Sequence, residues 1–205
     1  MKDYSQNGES LILLTLFNKI NSPTKNFVDL GAGDGFHLSN SRLLKDCHGW
    51  TGLMVDADNK GNDAEVLRSF ITKENILTTL AQHNIPVNFD LLSVDLDGND
   101  HHIIKEILSL YEPSVIVLEV NSQLPLDSSI VMPYNPNHQW DGTNAYGMSY
   151  NAAFKLLKEF DYFVYDIVND TNIIAVKNKI KVDPLAFDYK PTWSHPEKSI
   201  NWLEV

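Results

Sequence analysis

The sequence has little cysteine, arginine or basic charge, and each shortage excludes a class of protein. Cys47 is the only cysteine, so no internal disulfide can form and a reducing compartment is expected. Lys and Arg total 16 against 27 Asp and Glu, which gives a net charge of −11. Such a charge repels the phosphates of nucleic acids and anionic lipids, so neither is an expected partner. With arginine only at Arg42 and Arg68, a phosphate site built from several arginines is not expected either.

Long hydrophobic runs are also absent. The longest, LILLTLF and VIVLEV, fall well short of the ~20 residues that a membrane-spanning helix needs. The first ten residues show no basic segment followed by an apolar run, so no secretory signal is expected. We therefore expect a soluble, cytoplasmic protein without a membrane span.

No repeat, low-complexity tract or Gly/Ser/Pro-rich linker divides the 205 residues, so we predict one domain over residues 1–205. It would have an N-terminal helical segment, 1–22, and a C-terminal tail, 180–205. The predicted helices are Gly8–Ile20, Phe36–Lys45, Asn62–Arg68, Lys73–His83, Asp100–Leu110 and Ser149–Phe160. The predicted strands are Asn26–Leu30, Thr51–Ala57, Ser69–Thr72, Phe89–Leu96, Pro113–Val120, Tyr162–Val168 and Asn172–Asn178.

The alternation of strands and helices predicts an α/β fold, with an open, mostly parallel sheet covered by helices on both faces. VIVLEV and DLLSVDL are nearly continuous apolar runs, which is typical of strands buried on both faces. Ligands of such sheets bind beyond the carboxyl ends of the strands, near the point where the strand order reverses. We therefore expect the functional residues directly after the strands.

A glycine-rich turn, DLGAGDG, ends the first predicted strand. The dinucleotide fingerprint GxGxxG would need a third glycine at position 36, where the chain has Phe36. The GxGxG spacing with an acid two residues ahead is instead typical of S-adenosylmethionine (SAM) sites, in which the acid can pair with the ligand's ammonium group. The alternative is a plain tight turn. The predicted cofactor residues of the turn are Asp29, Gly31, Gly33, Asp34 and Gly35.

Asp56 ends the second predicted strand, where an acid accepts hydrogen bonds from the ribose hydroxyls of an adenosine ligand. We predict that Asp56 and Ala57 contact the cofactor and that Phe70 and Ile71 of the next strand flank the adenine. The alternatives are a helix N-cap for Asp56 and core packing for Phe70 and Ile71.

Three carboxylates and an amide follow the fourth and fifth predicted strands. Asp95 and Asp97 alternate to the same side of the chain, and neighbouring strands would bring Glu119 and Asn121 beside them. Oxygen ligands without a facing Lys or Arg predict a site for Mg²⁺, Mn²⁺ or Ca²⁺ formed by Asp95, Asp97, Glu119 and Asn121. The alternatives are a helix N-cap run from Asp97 and contact between Asp95 and the methionine part of the cofactor.

A long loop from Asn121 to Tyr146 is predicted to be a lid or a binding loop, because structureless loops of this length are unusual in a compact domain. Its aromatic, carboxylate and amide side chains suit a sugar ring; the alternative is a packed surface loop. The predicted substrate residues are Tyr134, His138, Trp140, Asp141 and Tyr146. His101 and His102, at the start of a helix, are each a candidate base or metal ligand, or else a surface or lining residue.

The motifs DLGAGDG, VDAD, DLLSVDLDGND, VLEVNS, PYNPNHQWDGT and YGMS together resemble those of SAM-dependent methyltransferases of the FkbM-like group. The opening SQNGE is similar to the SQxGE element that begins such domains, and the resemblance extends to about Lys179. It implies the Rossmann-like class I methyltransferase fold, with a seven-stranded sheet whose last strand is antiparallel. It also implies O-methylation of a sugar or glycan hydroxyl, with SAM as cofactor and a divalent cation as in several related sugar methyltransferases.

Methyl transfer from a sulfonium is an in-line displacement, so the protein mainly aligns the acceptor oxygen with the methyl group. A sugar hydroxyl is a weak nucleophile that needs a base or a cation. We expect Asp95, Asp97 and Glu119 to hold a divalent ion that chelates two neighbouring hydroxyls. The candidate proton acceptors are Asp95, His101, His102 and His138.

Two other functions fit less of the sequence. An NAD-dependent oxidoreductase shares the fold class, but Phe36 replaces the third glycine of its fingerprint. A catalytically inactive interaction module would not need the intact glycine and acid motifs. The Pro-, Trp- and Tyr-rich tail from Val182 to Val205 suits packing on the sheet, homodimerisation or contact with further domains of a larger glycan-building enzyme.

Overall fold

The computed structural model describes residues 3–58, 65–185 and 200–205. The helices are α1 (Glu9–Ile20), α2 (Arg42–His48), α3 (Ile76–Gln82), α4 (Asp100–Leu108) and α5 (Tyr150–Glu159). The strands are β1 (Asn26–Leu30), β2 (Thr51–Asp56), β3 (Val66–Arg68), β4 (Leu91–Val94), β5 (Val115–Glu119), β6 (Ile130–Val131), β7 (Tyr162–Val168), β8 (Asn172–Lys177) and β9 (Leu203–Glu204).

Seven of these strands form one sheet in the order β3-β2-β1-β4-β5-β8-β7. The pairs from β3 to β5 are all parallel, whereas β8 runs antiparallel to both β5 and β7. The last strand of the sheet in chain order, β8, thus lies between β5 and β7 and runs in the opposite direction to both. This arrangement confirms the predicted Rossmann-like fold of class I SAM-dependent methyltransferases.

Alternating residues of the central strands divide the core into two layers. Val28 and Leu92 belong to the layer that also contains the apolar faces of α3, α4 and α5. Phe27 and Leu91 belong to the layer that contains those of α1 and α2. Because successive side chains of a strand point to opposite faces, β1 and β4 are apolar on both faces except at the buried polar residues Asp29 and Ser93.

Two predicted elements on the edge side of the sheet are wrong. The predicted helix Asn62–Arg68 is a strand, β3, at Val66–Arg68, and residues 62–64 lie outside the described residues. The predicted strand Ser69–Thr72 is irregular, because the pairing with β2 falls three residues earlier, from Val66 to Arg68. A three-residue edge strand is too short to show a periodicity of its own.

The predicted helix Phe36–Lys45 begins only at Arg42. Ser39 and Ser41 donate hydrogen bonds from their hydroxyls to the carboxylate of Asp29, at 3.3 and 2.6 Å. These side-chain bonds compete with helical backbone bonds, so residues 36–41 form an irregular segment along the glycine turn.

The long loop after β5 contains a short strand that the sequence does not predict. β6 pairs antiparallel with β9, the described end of the tail, and the backbone N–H of Val205 donates to the carbonyl of Ser129 at 2.9 Å. This end of the tail therefore packs against the loop; its expected part in dimerisation stays a prediction.

Among the residues described, no helix combines the length and apolar character required to cross a bilayer.

Replacing Ser149 with alanine is expected to lower the free energy of unfolding by about 1–3 kcal/mol. The buried hydroxyl donates to the carbonyl of Ser128 at 2.9 Å, and accepts from the N–H of Ile130 at 3.0 Å and from that of Ala152 at the start of α5. Urea unfolding measures the loss. Ser109→Ala, at an exposed site where water can replace the hydroxyl, is the control, and an equal loss in both variants would contradict the prediction.

Candidate functional site

A cleft of about 560 Å³ opens at the carboxyl ends of β1, β2 and β4. Its volume lies within the usual range of small-molecule sites. One wall of the cleft is formed by the turn after β1, by Asp56 at the end of β2 and by Asp95 after β4. The long loop contributes His138 and Trp140. The cleft therefore lies directly after the strands, where the functional residues are expected.

The glycine turn is fixed by a close approach of two backbones. Gly31 has φ 83°, and a Cβ on it would lie only 1.7 Å from the carbonyl oxygen of Asp95. Any other residue at position 31 would therefore separate the turn from the end of β4. The N–H groups of Gly31 and Ala32 both donate to the carbonyl of Val55 on β2, at 2.9 and 3.0 Å. The turn is thus held between the two neighbouring strands.

Asp56 contacts this turn directly. Its carboxylate accepts from the N–H of Gly33 at 2.9 Å and, through its other oxygen, from the N–H of Asp58 at 2.9 Å. These bonds hold the carboxylate at the cleft wall. The predicted cofactor residues that line the cleft are Gly31, Gly33, Asp34, Asp56, Ala57, Phe70, Ile71 and Asp95. Gly35 shapes the turn by donating from its N–H to the carbonyl of Ala32 at 2.8 Å.

Asp29 does not have the predicted position. Its side chain is only 4% exposed and lies beneath the turn, where it accepts the bonds from Ser39 and Ser41 described above. Burial raises the pKa of this carboxyl, and the serine hydroxyls partly oppose that rise. The expected pairing of Asp29 with a ligand ammonium is therefore replaced by a structural role, which is to hold the segment 36–41.

The predicted group of carboxylates is present beyond β4 and β5. Asp95, Asp97 and Glu119 each offer an oxygen atom, and these atoms lie within 4.8 Å of one another. Oε2 of Glu119 is buried and has no hydrogen-bond partner in the described structure. Oxygens that bind one Mg²⁺ or Ca²⁺ ion at 2.0–2.6 Å are separated by at most about 5 Å. The donor set, its spacing and the unpartnered oxygen therefore fit a divalent cation.

Burial raises the pKa of Glu119 and of Asp95, and the neighbouring carboxylates raise both further. The pKa of Asp97 is raised as well, by burial and then by Asp100. Three carboxylates this close repel one another, and only a proton or a cation between them removes that repulsion.

The side-chain amide of Asn121 is hydrogen-bonded to the backbone of the long loop. Its side-chain N–H groups donate to the carbonyls of Asn144 and Tyr146 at 2.9 and 3.0 Å, and its oxygen accepts from the N–H of Gln123 at 3.1 Å. The buried amide therefore closes the base of the long loop. Its contacts do not support the predicted ligation of a metal.

His101 and His102 are not positioned as bases for the cleft. His101 is buried in α4, and burial lowers its pKa to about 4. The Nε2–H of His102 donates to the carbonyl of Met132 at 2.7 Å, and its ring packs edge-on against Tyr134. Neither is among the residues that line the cleft, and His102 is held against the long loop. This placement does not support the expected catalytic role of either histidine, which stays a prediction.

His138 does reach the cleft. Its Nε2–H donates to the carbonyl of Asp97 at 3.0 Å, and its ring covers Gly98, where a Cβ would lie 2.3 Å from the imidazole. The glycine of VDLDGND is therefore required to admit this ring. His138 is the one predicted histidine that the fold brings beside the carboxylate group.

Trp140 is the aromatic residue of the loop that lines the cleft, and Tyr146 packs behind it. Trp140 lines the cleft with half of its surface exposed, and its indole N–H donates to the carbonyl of Thr143 at 2.6 Å. Its ring meets Tyr146 edge-on, with 6.3 Å between the centroids. Burial raises the pKa of Tyr146, as do Glu119 and Asp95, so the phenol stands beside the carboxylates as a neutral donor.

Tyr134 and Asp141 instead stabilise the loop. The hydroxyl of Tyr134 donates to Glu74 at 2.5 Å and accepts from the N–H of Lys73 at 3.1 Å. Asp141 accepts from the hydroxyl of Thr143 at 2.6 Å. Neither lines the cleft, so their predicted contact with a substrate is not supported.

Sequence reasoning missed several residues that line the cleft, among them His37 and Asn99. His37 lines it beside Asp34, with its Nδ1 at 2.5 Å from the Asp34 carboxylate. Asn99 lines it at the start of α4 and exchanges two hydrogen bonds with the backbone of Asn135. The three-residue spacing of Asp34 and His37 within the turn is a signal that could have indicated the first pair.

Gly31→Ala is expected to destabilise the fold far more than Gly33→Ala. Both glycines have positive φ, so both substitutions carry about 1 kcal/mol of backbone strain. Only at position 31 does the new Cβ also meet the backbone of Asp95, whereas nothing lies within 4 Å of a Cβ at position 33. We expect a loss of about 3 kcal/mol or more for Gly31→Ala in denaturant unfolding. Equal losses of unfolding free energy in the two variants would show that the turn at Gly31 does not lie against the backbone of Asp95.

Comparison with known proteins finds no matching family model and no matching curated protein. Among solved structures, the chain is similar to a SAM-dependent methyltransferase from Clostridium acetobutylicum at TM-score 0.44 and 11% identity, covering 86% of this chain and 92% of that one. It is similar to an amino pentose methyltransferase from Micromonospora echinaspora involved in calicheamicin biosynthesis, at TM-score 0.45, 11% identity and the same coverages. It also resembles human N-acetylserotonin methyltransferase at TM-score 0.44 and 14% identity, over 82% of this chain and 51% of that one.

Proposed function

We propose that the protein is a SAM-dependent methyltransferase that transfers the methyl group to a sugar or glycan hydroxyl with the help of a divalent cation. The observation that carries the proposal is the single cleft in which the glycine turn of β1 and Asp56 of β2 meet the carboxylates beyond β4. A ligand lying from Asp56 towards Asp95 would have its adenosine at one end and its reactive sulfonium near the carboxylates.

The adenosine half of the cofactor is assigned to the β2 side of the cleft. Asp56 would accept from the ribose hydroxyls, since its carboxylate is already oriented by two backbone N–H groups. Phe70 and Ile71 line the same end and provide an apolar surface for the adenine. Asp95 would receive the ammonium of the methionine part, the role expected earlier for Asp29.

A dinucleotide fits this cleft poorly. Its pyrophosphate would lie at the glycine turn, where Asp34, Asp56 and Asp58 line the wall. The N–H groups of Gly31 and Gly33, which would have to bind phosphate oxygens, already donate to protein oxygens. Charge and hydrogen bonding therefore both disfavour the NAD-dependent alternative.

The acceptor is assigned to the space between the carboxylates and the long loop. Trp140 offers an exposed aromatic face at the cleft wall, and His138 and Tyr146 offer polar atoms near Asp97 and Glu119. An apolar ring face beside convergent polar groups suits a sugar with neighbouring hydroxyls.

Asp95, Asp97 and Glu119 would hold the cation, which lowers the pKa of a coordinated hydroxyl and so makes it a better nucleophile. These residues would thereby place the acceptor in line with the methyl group. Since His101 and His102 lie outside the cleft and Asp95 would hold the cation, the proton would pass to His138. His138 is held through its Nε2–H, which leaves Nδ1 as the accepting atom.

Isothermal titration calorimetry with S-adenosylhomocysteine and with NAD tests the cofactor. We expect S-adenosylhomocysteine to bind with a Kd in the micromolar range and NAD to give no heat beyond dilution. Binding of NAD without binding of S-adenosylhomocysteine would replace the methyltransferase proposal with the oxidoreductase.

Glu119→Gln tests the cation and should weaken Mn²⁺ binding at least tenfold, because it removes one of the three charges while keeping the shape. Mn²⁺ titration calorimetry on the metal-free protein measures the change, and Asp141→Asn, in the long loop and away from the carboxylates, is the matched control. With a panel of glycosides, methyl transfer from SAM should fall on EDTA treatment and return with Mn²⁺. Full activity of EDTA-treated protein that holds no metal would refute the cation's role.

A further inference from the structure

The amino-acid end of SAM carries a carboxylate as well as an ammonium group, so the proposed cofactor brings both charges into this cleft. The inference rests on that proposed function. Ammonium partners are abundant, because five carboxylates line the cleft: Asp34, Asp56, Asp58, Asp95 and Asp97. The same carboxylates repel a ligand carboxylate. A hydrogen-bond donor, preferably a charged one, is therefore needed for that end of the ligand.

The backbone of the glycine turn has few donors left to offer. The N–H groups already engaged are those of Gly31, Ala32, Gly33, Gly35, Phe36 and His37. They donate to the carbonyls of Val55 and Ala32 and to the carboxylates of Asp56 and Asp34. A ligand carboxylate at the turn must therefore be bound largely by a side chain.

Among the described residues that line the cleft, His37 and His138 are the ones whose side chains can carry a positive charge. His138 lies over Gly98 beside the carboxylate group, and its Nε2–H already donates to the carbonyl of Asp97. His37 lies at the glycine turn, and its side chain is 85% exposed. The position at the turn is the one that the methionine part of the ligand would reach.

The carboxylate of Asp34 orients the imidazole ring of His37. One of its oxygens accepts from the backbone N–H groups of Phe36 and His37, at 2.9 and 2.7 Å, which fixes its orientation. The other lies 2.5 Å from Nδ1 of His37, so the ring is held with its Nε2 directed away from Asp34. In the doubly protonated ring, Nδ1–H donates to Asp34 and Nε2–H is left to donate to a ligand carboxylate.

We propose that His37, oriented by Asp34, binds the carboxylate of the cofactor's amino-acid end through its Nε2–H. The residue thus distinguishes ligands that carry an amino-acid end from adenosine derivatives that lack it. Asp34 acts through His37 and is a positioning residue.

Two ligands separate this role from a general effect on the cleft. S-adenosylhomocysteine has the amino-acid end, and 5′-methylthioadenosine has the same adenosine and thioether without it. His37→Gln should weaken S-adenosylhomocysteine binding about tenfold, the usual effect of losing a charged hydrogen bond, and leave 5′-methylthioadenosine binding within twofold. Calorimetric titration of wild type and variant with both ligands gives the four dissociation constants.

His83→Gln is the matched control, since His83 is exposed at the end of α3 and does not line the cleft. It should bind both ligands like the wild type. Unchanged S-adenosylhomocysteine binding by His37→Gln would overturn the inference, and so would an equal loss for both ligands, which would place His37 at the adenosine. A wild-type chain that binds neither ligand would overturn the proposed function and this inference with it.

Discussion

The carbonyl oxygen of Asp95 occupies the space in which every amino acid except glycine would carry a Cβ at position 31. Through this contact the turn after β1 and the end of β4 lie side by side. Asp95 consequently belongs both to the cleft wall beside the turn and to the group of carboxylates with Asp97 and Glu119. The side of the cleft at the turn and the side at the carboxylates thus share one residue, so their positions are linked.

Electrostatic repulsion is the second constraint on the site. Parallel strands end at one edge of the sheet, so polar residues that follow β4 and β5 are brought together whatever their charge. Here the result is three crowded carboxylates, one with a buried oxygen that lacks a partner. Such an arrangement costs stability in the ligand-free protein, and charges of this kind are concentrated where a ligand compensates them.

The sequence allowed the sheet and the carboxylate group to be predicted, because both follow from local patterns. Continuous apolar runs locate β1, β4 and β5, and the residue directly after a strand must lie at its end. The direction of a side chain that leaves an irregular segment depends on packing across the molecule. For this reason Asp29 and His102 were assigned to the cleft although tertiary hydrogen bonds hold them elsewhere. β3 was missed because a strand of three residues is too short to show an alternation of apolar and polar side chains.

The long loop is held at separate points by side-chain amides that bind its backbone. Asn121 binds the carbonyls of Asn144 and Tyr146, and Asn99 binds the N–H and the carbonyl of Asn135. Because these hydrogen bonds are made to main-chain atoms, they do not depend on which side chains lie between Asn135 and Asn144. Residues 139–143 can therefore diverge in sequence while His138 and the entry and exit of the loop stay in place. A fold of this kind can change the side chains at the loop wall of its cleft over evolutionary time without rebuilding the turn after β1 or the strand ends.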